Sequence, residues 1–229
     1  MPCAGTPGTT MLGMRPDQLA RSPSITTVVF DLGGVLIDWD PRHLYRQMFS
    51  DPEEMEIFLR DVVSPDWNAE QDSGRTWAEA TALLLEQHPE QEPMITAYVE
   101  RWDEMLAGPF EGTVAILSEV RDRGLHIYAL TNWSAETFPY ARANYPFLQC
   151  FRDIVVSGEL KLIKPDAAIY HASLGQVRAH LPDIQPGEVV FIDDVAGNID
   201  AAIALGWQGI HHVCAERTAE RLRELGVGF

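Results

Sequence analysis

Residues 25–37, ITTVVFDLGGVLI, restrict the fold more than any other stretch of the chain. β-Branched and apolar residues run up to Asp31, and a glycine pair, Gly33 and Gly34, follows at once. A strand apolar on both faces suits the centre of a parallel sheet, where helices cover both sides. The glycines predict a tight loop at its carboxyl end. A central parallel strand needs neighbours reached through crossover helices, and the rest of the sequence offers them.

Between residues 41 and 110 the pattern changes. LYRQMF, EEMEIFLRDVV, WAEATALLLEQ and MITAYVERWDEML carry apolar residues at helical spacing, and no strand signal interrupts them. Beyond, the chain alternates. A helix over about 112–124 closes at Gly124, and HIYAL (126–130) reads as a strand. A short helix near 134–143 leads to the strand DIVVS (153–157), and Pro165 opens a helix over 166–180. VVFID (189–193) is a strand, 197–205 a helix stopped at Gly206, QGIHHV (208–213) a strand and 216–225 a last helix. This order predicts an α/β class: a Rossmann-like parallel sheet core from residues 25–40 and 111–229, with 41–110 as an inserted helical cap. Residues 1–24, rich in Gly, Pro and Thr, are expected to form a disordered tail. They lack the apolar run of a secretory signal.

Charge narrows the partners. The 229 residues carry a net charge of −17, which excludes the basic surface that nucleic acid or an anionic membrane would require. Of the 17 basic residues all but Lys161 and Lys164 are arginine. The helical block holds 15 acidic and 5 basic side chains, so it supplies −10 of the total. Cys3, Cys150 and Cys214 are too few and scattered for a disulfide framework and fit a reducing compartment. No stretch approaches the ~18 apolar residues of a membrane span. The expectation is a cytoplasmic monomer or homodimer acting on a small molecule.

Ligands of open α/β sheets bind beyond the carboxyl ends of the strands. The polar residues there are Asp31, Thr131, Asn132, Asp193 and Asp194, with Lys164 in the loop before a helix. Their chemistry is mutually consistent. A carboxylate can attack phosphorus and form a covalent intermediate. Charge repulsion between it and a phosphate requires a cation, and Mg²⁺ takes carboxylates and a backbone carbonyl while keeping waters. Asp31, the Gly33 carbonyl and Asp194 make a plausible ligand set. Lys164, Thr131 and Asn132 can donate to the transferring oxygens.

FDLGGVL, LTN, KPDAAIY and FIDDVAGN, in that order, resemble the four motifs of the haloacid dehalogenase-like (HAD) hydrolases, over about residues 26–225. The helical block falls where one subclass of that family carries its cap. The resemblance implies Asp31 as nucleophile, Thr131 and Lys164 as phosphate contacts, and Asp193 with Asp194 as the Mg²⁺ site. It implies a phosphatase acting on a small phosphomonoester such as a sugar phosphate. One position departs from the pattern: most phosphatases of the family carry a general acid–base aspartate two residues after the nucleophile, and here Gly33 stands there. Asp38 and Asp40 are nearby substitutes.

In the cap, WNAEQDSG (67–74) presents Trp67, Asn68 and Asp72 at the end of a predicted helix. Trp67 and Asp72 are read as contacts to the leaving group, against the plainer reading of a core tryptophan and helix-stop residues. Trp133 can wall the pocket or pack beneath the cap, and Asn198 can orient the metal site or begin a helix. Two other functions fit the same residues. A metal-independent 2-haloacid dehalogenase also uses an aspartate nucleophile, though the Asp193–Asp194 pair counts against it. A catalytically weak phosphate-ester-binding protein is favoured by Gly33.

Overall fold

A computed structural model describes residues 24–228, so the expectation of a disordered tail falls almost wholly outside the described residues. Five strands form a parallel sheet in the order β5-β4-β1-β6-β7. They are β1 (Thr27–Phe30), β4 (His126–Thr131), β5 (Ile154–Val156), β6 (Val189–Asp193) and β7 (Gln208–His211). β1 lies in the middle, with Phe30 opposite Ala129 on one side and Ile192 on the other. The fold is therefore of the α/β class.

Alternation along β1 divides the core. Val28 and Phe30 point into one apolar cluster and Val29 into the other. The first cluster packs the sheet on α6 (Glu111–Asp122) and α11 (Ala215–Glu224) through Ile116, Leu117, Val120 and Leu222. The second packs it on α9 (Ala167–His180) and α10 (Ala196–Ala204) through Ile169, Tyr170 and Ile199, with Trp207 beside them. Each of these fully buried side chains contributes roughly 1.5–3 kcal/mol relative to exposure. Two short helices, α7 (Phe138–Asn144) and α8 (Ser157–Leu160), complete the core.

Within the run 25–37 the strand closes in a tight turn at the glycines, as expected. β1 ends at Phe30, a turn follows, and Ile37–Trp39 forms β2, paired antiparallel with β3 (Leu106–Pro109). β3 overturns the expectation that no strand interrupts 41–110. Its sequence, LAGP, has no strand signal because Gly and Pro weaken one, and pairing with β2 overrides that local preference. The β2–β3 ribbon is the double tether of the helical block: α1 (Arg42–Tyr45), α2 (Pro52–Asp61), α3 (Pro65–Asp72), α4 (Trp77–Gln87) and α5 (Glu92–Glu100).

Helix starts within the block are written locally. Asp51 accepts from the Glu53 amide and Ser64 from the Trp67 amide, with Pro52 and Pro65 at the first helical position. Thr76 and Glu79 form a reciprocal capping box. Tyr45, Phe58, Trp67, Trp77 and Tyr98 then pack ring against ring between these helices. Among the described residues no helix is long and apolar enough to cross a membrane.

Candidate active site

The carboxyl ends of β1, β4 and β6 meet at Lys164. Asp31 follows the last residue of β1 and is held to the sheet by its amide, which donates to the Ile192 carbonyl at 2.8 Å. Its Oδ1 accepts from the Leu32 amide at 2.7 Å, which leaves Oδ2 facing Lys164 Nζ at 2.8 Å. The same ammonium donates to Asp193 Oδ2 at 2.7 Å and to the Leu130 carbonyl at 3.2 Å. Lys164 is almost completely buried, and these three partners match its three protons. Thr131, the last residue of β4, is buried beside them.

Asn132 has a task beyond the one expected. Its Nδ2 donates to the Lys164 carbonyl at 3.1 Å and its Oδ1 accepts from the Lys164 amide at 2.9 Å. Both ends of the amide are therefore committed to the backbone that aims the lysine. Asp193 is engaged in a similar way. Oδ1 accepts from the Val195 amide at 2.7 Å and from Asn198 Nδ2 at 3.0 Å. Oδ2 accepts from Lys164 and again from Asn198 Nδ2. A carboxylate offers about four acceptor sites, so part of Asp193 is already engaged, while its oxygens still lie in one cluster with those of Asp31 and Asp194. Asn198 thus fixes Asp193, and Asp193 fixes Lys164.

Three carboxylates cluster here, and two of them, Asp31 and Asp193, share one ammonium. Burial pushes the Asp31 carboxyl up to about 8 despite the pull of Lys164, and the charges of Asp193 and Asp194 push the same way. Burial opposes the charge on Lys164, but Asp31 and Asp193 outweigh it and hold the lysine above its ordinary range. Asp194 is raised by burial and by Asp193. The arrangement calls for another cation. Asp31, Asp193 and Asp194 bring carboxylate oxygens within 4.8 Å of one another. The loop makes room for this: Gly34 has φ +72°, and a Cβ there would overlap Asp194 Oδ2. Glycine at 34 is needed for the turn and for the close approach of that carboxylate. The donor set is all oxygen, which suits a hard divalent ion.

Beside this cluster, under the cap, lies a cavity of about 70 Å³. Trp39, Trp77, Trp102 and Trp133 form its apolar walls. Gly33, Asn132 and Thr137 face it from the core, and Asn68 and Asp72 from the cap. Asp72 ends α3, as the sequence predicts. Its Oδ2 accepts from Asn68 Nδ2 at 3.0 Å, its carbonyl accepts from Ser157 Oγ at 2.5 Å, and burial pushes its carboxyl up to about 7.

Trp67 is not among the cavity's lining residues. It packs against Trp77 and Tyr98 at 5.7 and 5.1 Å between ring centres, the plainer of its two readings. Asp38 and Asp40 are engaged at the ribbon, Asp38 with His43 at 3.1 Å and Asp40 with Arg42 at 3.2 Å. His211 contacts the Asp194 carbonyl and His212 the Thr218 hydroxyl, both outside the carboxylate cluster. Ser157, which accepts from the Trp133 amide at 2.8 Å, was not singled out from sequence. Neither were Trp39, Trp77 and Trp102, although a high density of tryptophan is a signal for an apolar pocket.

A family model described as haloacid dehalogenase-like hydrolase matches residues 25–206. The chain belongs to the haloacid dehalogenase-like hydrolases. Within that family it is 26% identical over 203 residues to a sesquiterpene phosphatase of Aspergillus oryzae, covering 86% of this chain and 94% of that protein. A HAD family enzyme of Bacteroides thetaiotaomicron, solved as a magnesium complex, has a TM-score of 0.65 at 22% identity over 87% of this hydrolase and 99% of that chain. The L-2-haloacid dehalogenase of Xanthobacter autotrophicus, with chloropropionic acid covalently bound, has a TM-score of 0.56 at 18% identity over 90% and 85%. At these identities the two structures speak for the fold of this hydrolase alone.

Proposed function

We propose that this HAD-like hydrolase is a Mg²⁺-dependent phosphatase of a small phosphomonoester and works through an aspartyl phosphate on Asp31. The observation that carries the reading is the surplus of negative charge at the strand ends. Asp31 and Asp193 pair with one ammonium and Asp194 adds a third carboxylate to the same cluster, a balance suited to a divalent cation and an anionic substrate. The likeness to a sesquiterpene phosphatase supports it.

In this reading Asp31, Asp194 and the Gly33 carbonyl hold Mg²⁺. When bound, the ion neutralises phosphate charge and polarises the phosphoryl oxygens. Lys164 holds Asp31 Oδ2 and sets its positive charge beside the phosphoryl group, and Thr131 donates its hydroxyl to a phosphoryl oxygen. Asn132 and Asp193 keep the lysine in place. Asp31 attacks phosphorus in line with the departing oxygen, and water then cleaves the acyl phosphate. The cap excludes bulk water and selects the leaving group. The tryptophan walls favour an apolar or flat leaving group, and sugars also stack on such faces.

The test is phosphate release from a panel of phosphomonoesters with Mg²⁺ and with EDTA. Activity that needs Mg²⁺ and disappears in Asp31→Asn supports the reading. Halide release from 2-haloacids that persists in EDTA overturns it in favour of a dehalogenase. Binding of phosphate esters without turnover overturns it in favour of a binding protein.

A further inference from the structure

Departure of an alkoxide from phosphorus needs a proton, and hydrolysis of the acyl phosphate needs a base for the attacking water. Asp31 and Lys164 hold each other, and Asp193 is occupied by Lys164, Asn198 and the Val195 amide. None of these is available for proton transfer to the leaving group. Gly33 lines the leaving-group cavity but has no side chain. Of the described residues that line it, Asp72 alone carries a titratable group.

We infer that Asp72, supplied by the cap, is the general acid and base of the reaction. This rests on the phosphatase reading above. Asp72 and Gly33 face one cavity together with Asn132, whose amide grips the Lys164 backbone. The position of Asp72 is fixed from three sides. Asn68 Nδ2 donates to its carboxylate, Tyr98 in turn fixes Asn68 Oδ1 at 2.9 Å, and the Ser134 amide donates to the same carboxylate. Ser157 Oγ, which contacts the loop at Trp133, donates to the Asp72 carbonyl.

These bonds tie the end of α3 to the loop that follows β4. Burial raises the Asp72 carboxyl to about 7, and Lys164 and the Ser134 amide only partly offset it, so both protonation states are accessible near neutral pH. Other charged groups nearby are Glu136, which accepts from the Trp77 amide, and Lys161, which packs on Gly74.

The steps balance. Asp31 forms a bond to phosphorus while the bond to the leaving oxygen breaks, and that oxygen takes its proton from Asp72. Water then attacks phosphorus and gives a proton to the Asp72 carboxylate. The acyl phosphate bond breaks, phosphate leaves, and Asp31 returns as a carboxylate.

Two substrates of similar shape separate this role from binding. Nitrophenolate leaves p-nitrophenyl phosphate without a proton, whereas the alkoxide of benzyl phosphate needs one. Single-turnover cleavage of benzyl phosphate by Asp72→Asn should fall roughly 10²–10⁴-fold. With p-nitrophenyl phosphate the same variant should keep a burst of nitrophenolate, then turn over slowly because dephosphorylation lacks its base. A Cβ at Gly33 would meet nothing within 4 Å, so Gly33→Asp can place a second carboxyl in the cavity. Combined with Asp72→Asn, it should restore benzyl phosphate cleavage.

Equal losses on both substrates, or no loss, would overturn the role of Asp72. A wild-type enzyme without an Asp31-dependent burst on p-nitrophenyl phosphate would instead overturn the phosphatase reading on which it rests.

Discussion

Asp72→Asn should make the protein more stable in mild alkali, by an amount that the structure sets. In the fold the Asp72 carboxyl lies near 7, against an ordinary value of 3.8, because burial penalises its charge. A raised carboxyl binds its proton more tightly folded than unfolded. The stability it contributes is complete below the unfolded value and is lost as pH rises through the folded one. Three units at about 1.4 kcal/mol each give a full loss of ~4 kcal/mol. This is an upper bound, since the cavity admits water.

Between about pH 5.5 and 8.5, both above the isoelectric point near 4.6, linkage gives ~2 kcal/mol of that loss. Asn has no such titration. It also surrenders one of the two hydrogen bonds accepted from Asn68 and the Ser134 amide, at about 1–3 kcal/mol, independent of pH. The observable is therefore the change in the variant's relative stability across this range. Urea unfolding of both proteins at the two pH values should show Asp72→Asn gaining ~2 kcal/mol on the wild type as pH rises. Parallel pH dependence would refute the reasoning, because the charge on Asp72 would then carry no cost of burial.

Further expectations concern the strand ends. Lys164→Met leaves Asp31 and Asp193 buried without their cation and should cost about 3–5 kcal/mol in urea unfolding near neutral pH, with loss of activity. Asp194→Asn should raise the Mg²⁺ concentration for half-maximal activity at least about tenfold, while Asp193→Asn should leave that concentration nearly unchanged and lower the turnover rate. Gly34→Ala forces both a strained φ of +72° and a clash with Asp194. Isothermal titration should find its Mg²⁺ binding weakened beyond that of Asp194→Asn if the loop itself shifts.

The candidate site residues are legible in sequence because each sits where a strand of the sheet ends or a helix begins. Asp31 closes an apolar run, and Thr131, Asp193 and Asp194 close others, so topology alone gathers them. Their division of labour was not legible. Asp193 and Asp194 are adjacent and chemically identical, and only the partners tell them apart: Lys164, Asn198 and the Val195 amide fill the oxygens of the first. The bracing role of Asn132 is hidden as well, because one-dimensional proximity does not reveal that Lys164, 32 residues on, meets both ends of its amide.

The ribbon strand Leu106–Pro109 escaped notice because its pairing with Ile37–Trp39 spans the whole helical block, a contact that no local window contains. The tryptophan cavity is hidden for the same reason. Trp39, Trp77, Trp102 and Trp133 come from four separate segments, and within each the spacing reads as ordinary core.

Covalent phosphorylation of Asp31 is the central claim, and acid-quenched enzyme after brief mixing with Mg²⁺ and p-nitrophenyl phosphate tests it most directly. Peptide mapping by mass spectrometry should find phosphate on the peptide containing Asp31, and none in Asp31→Asn. Active enzyme that carries no phosphate there through the burst, or carries it on another residue, would contradict the account.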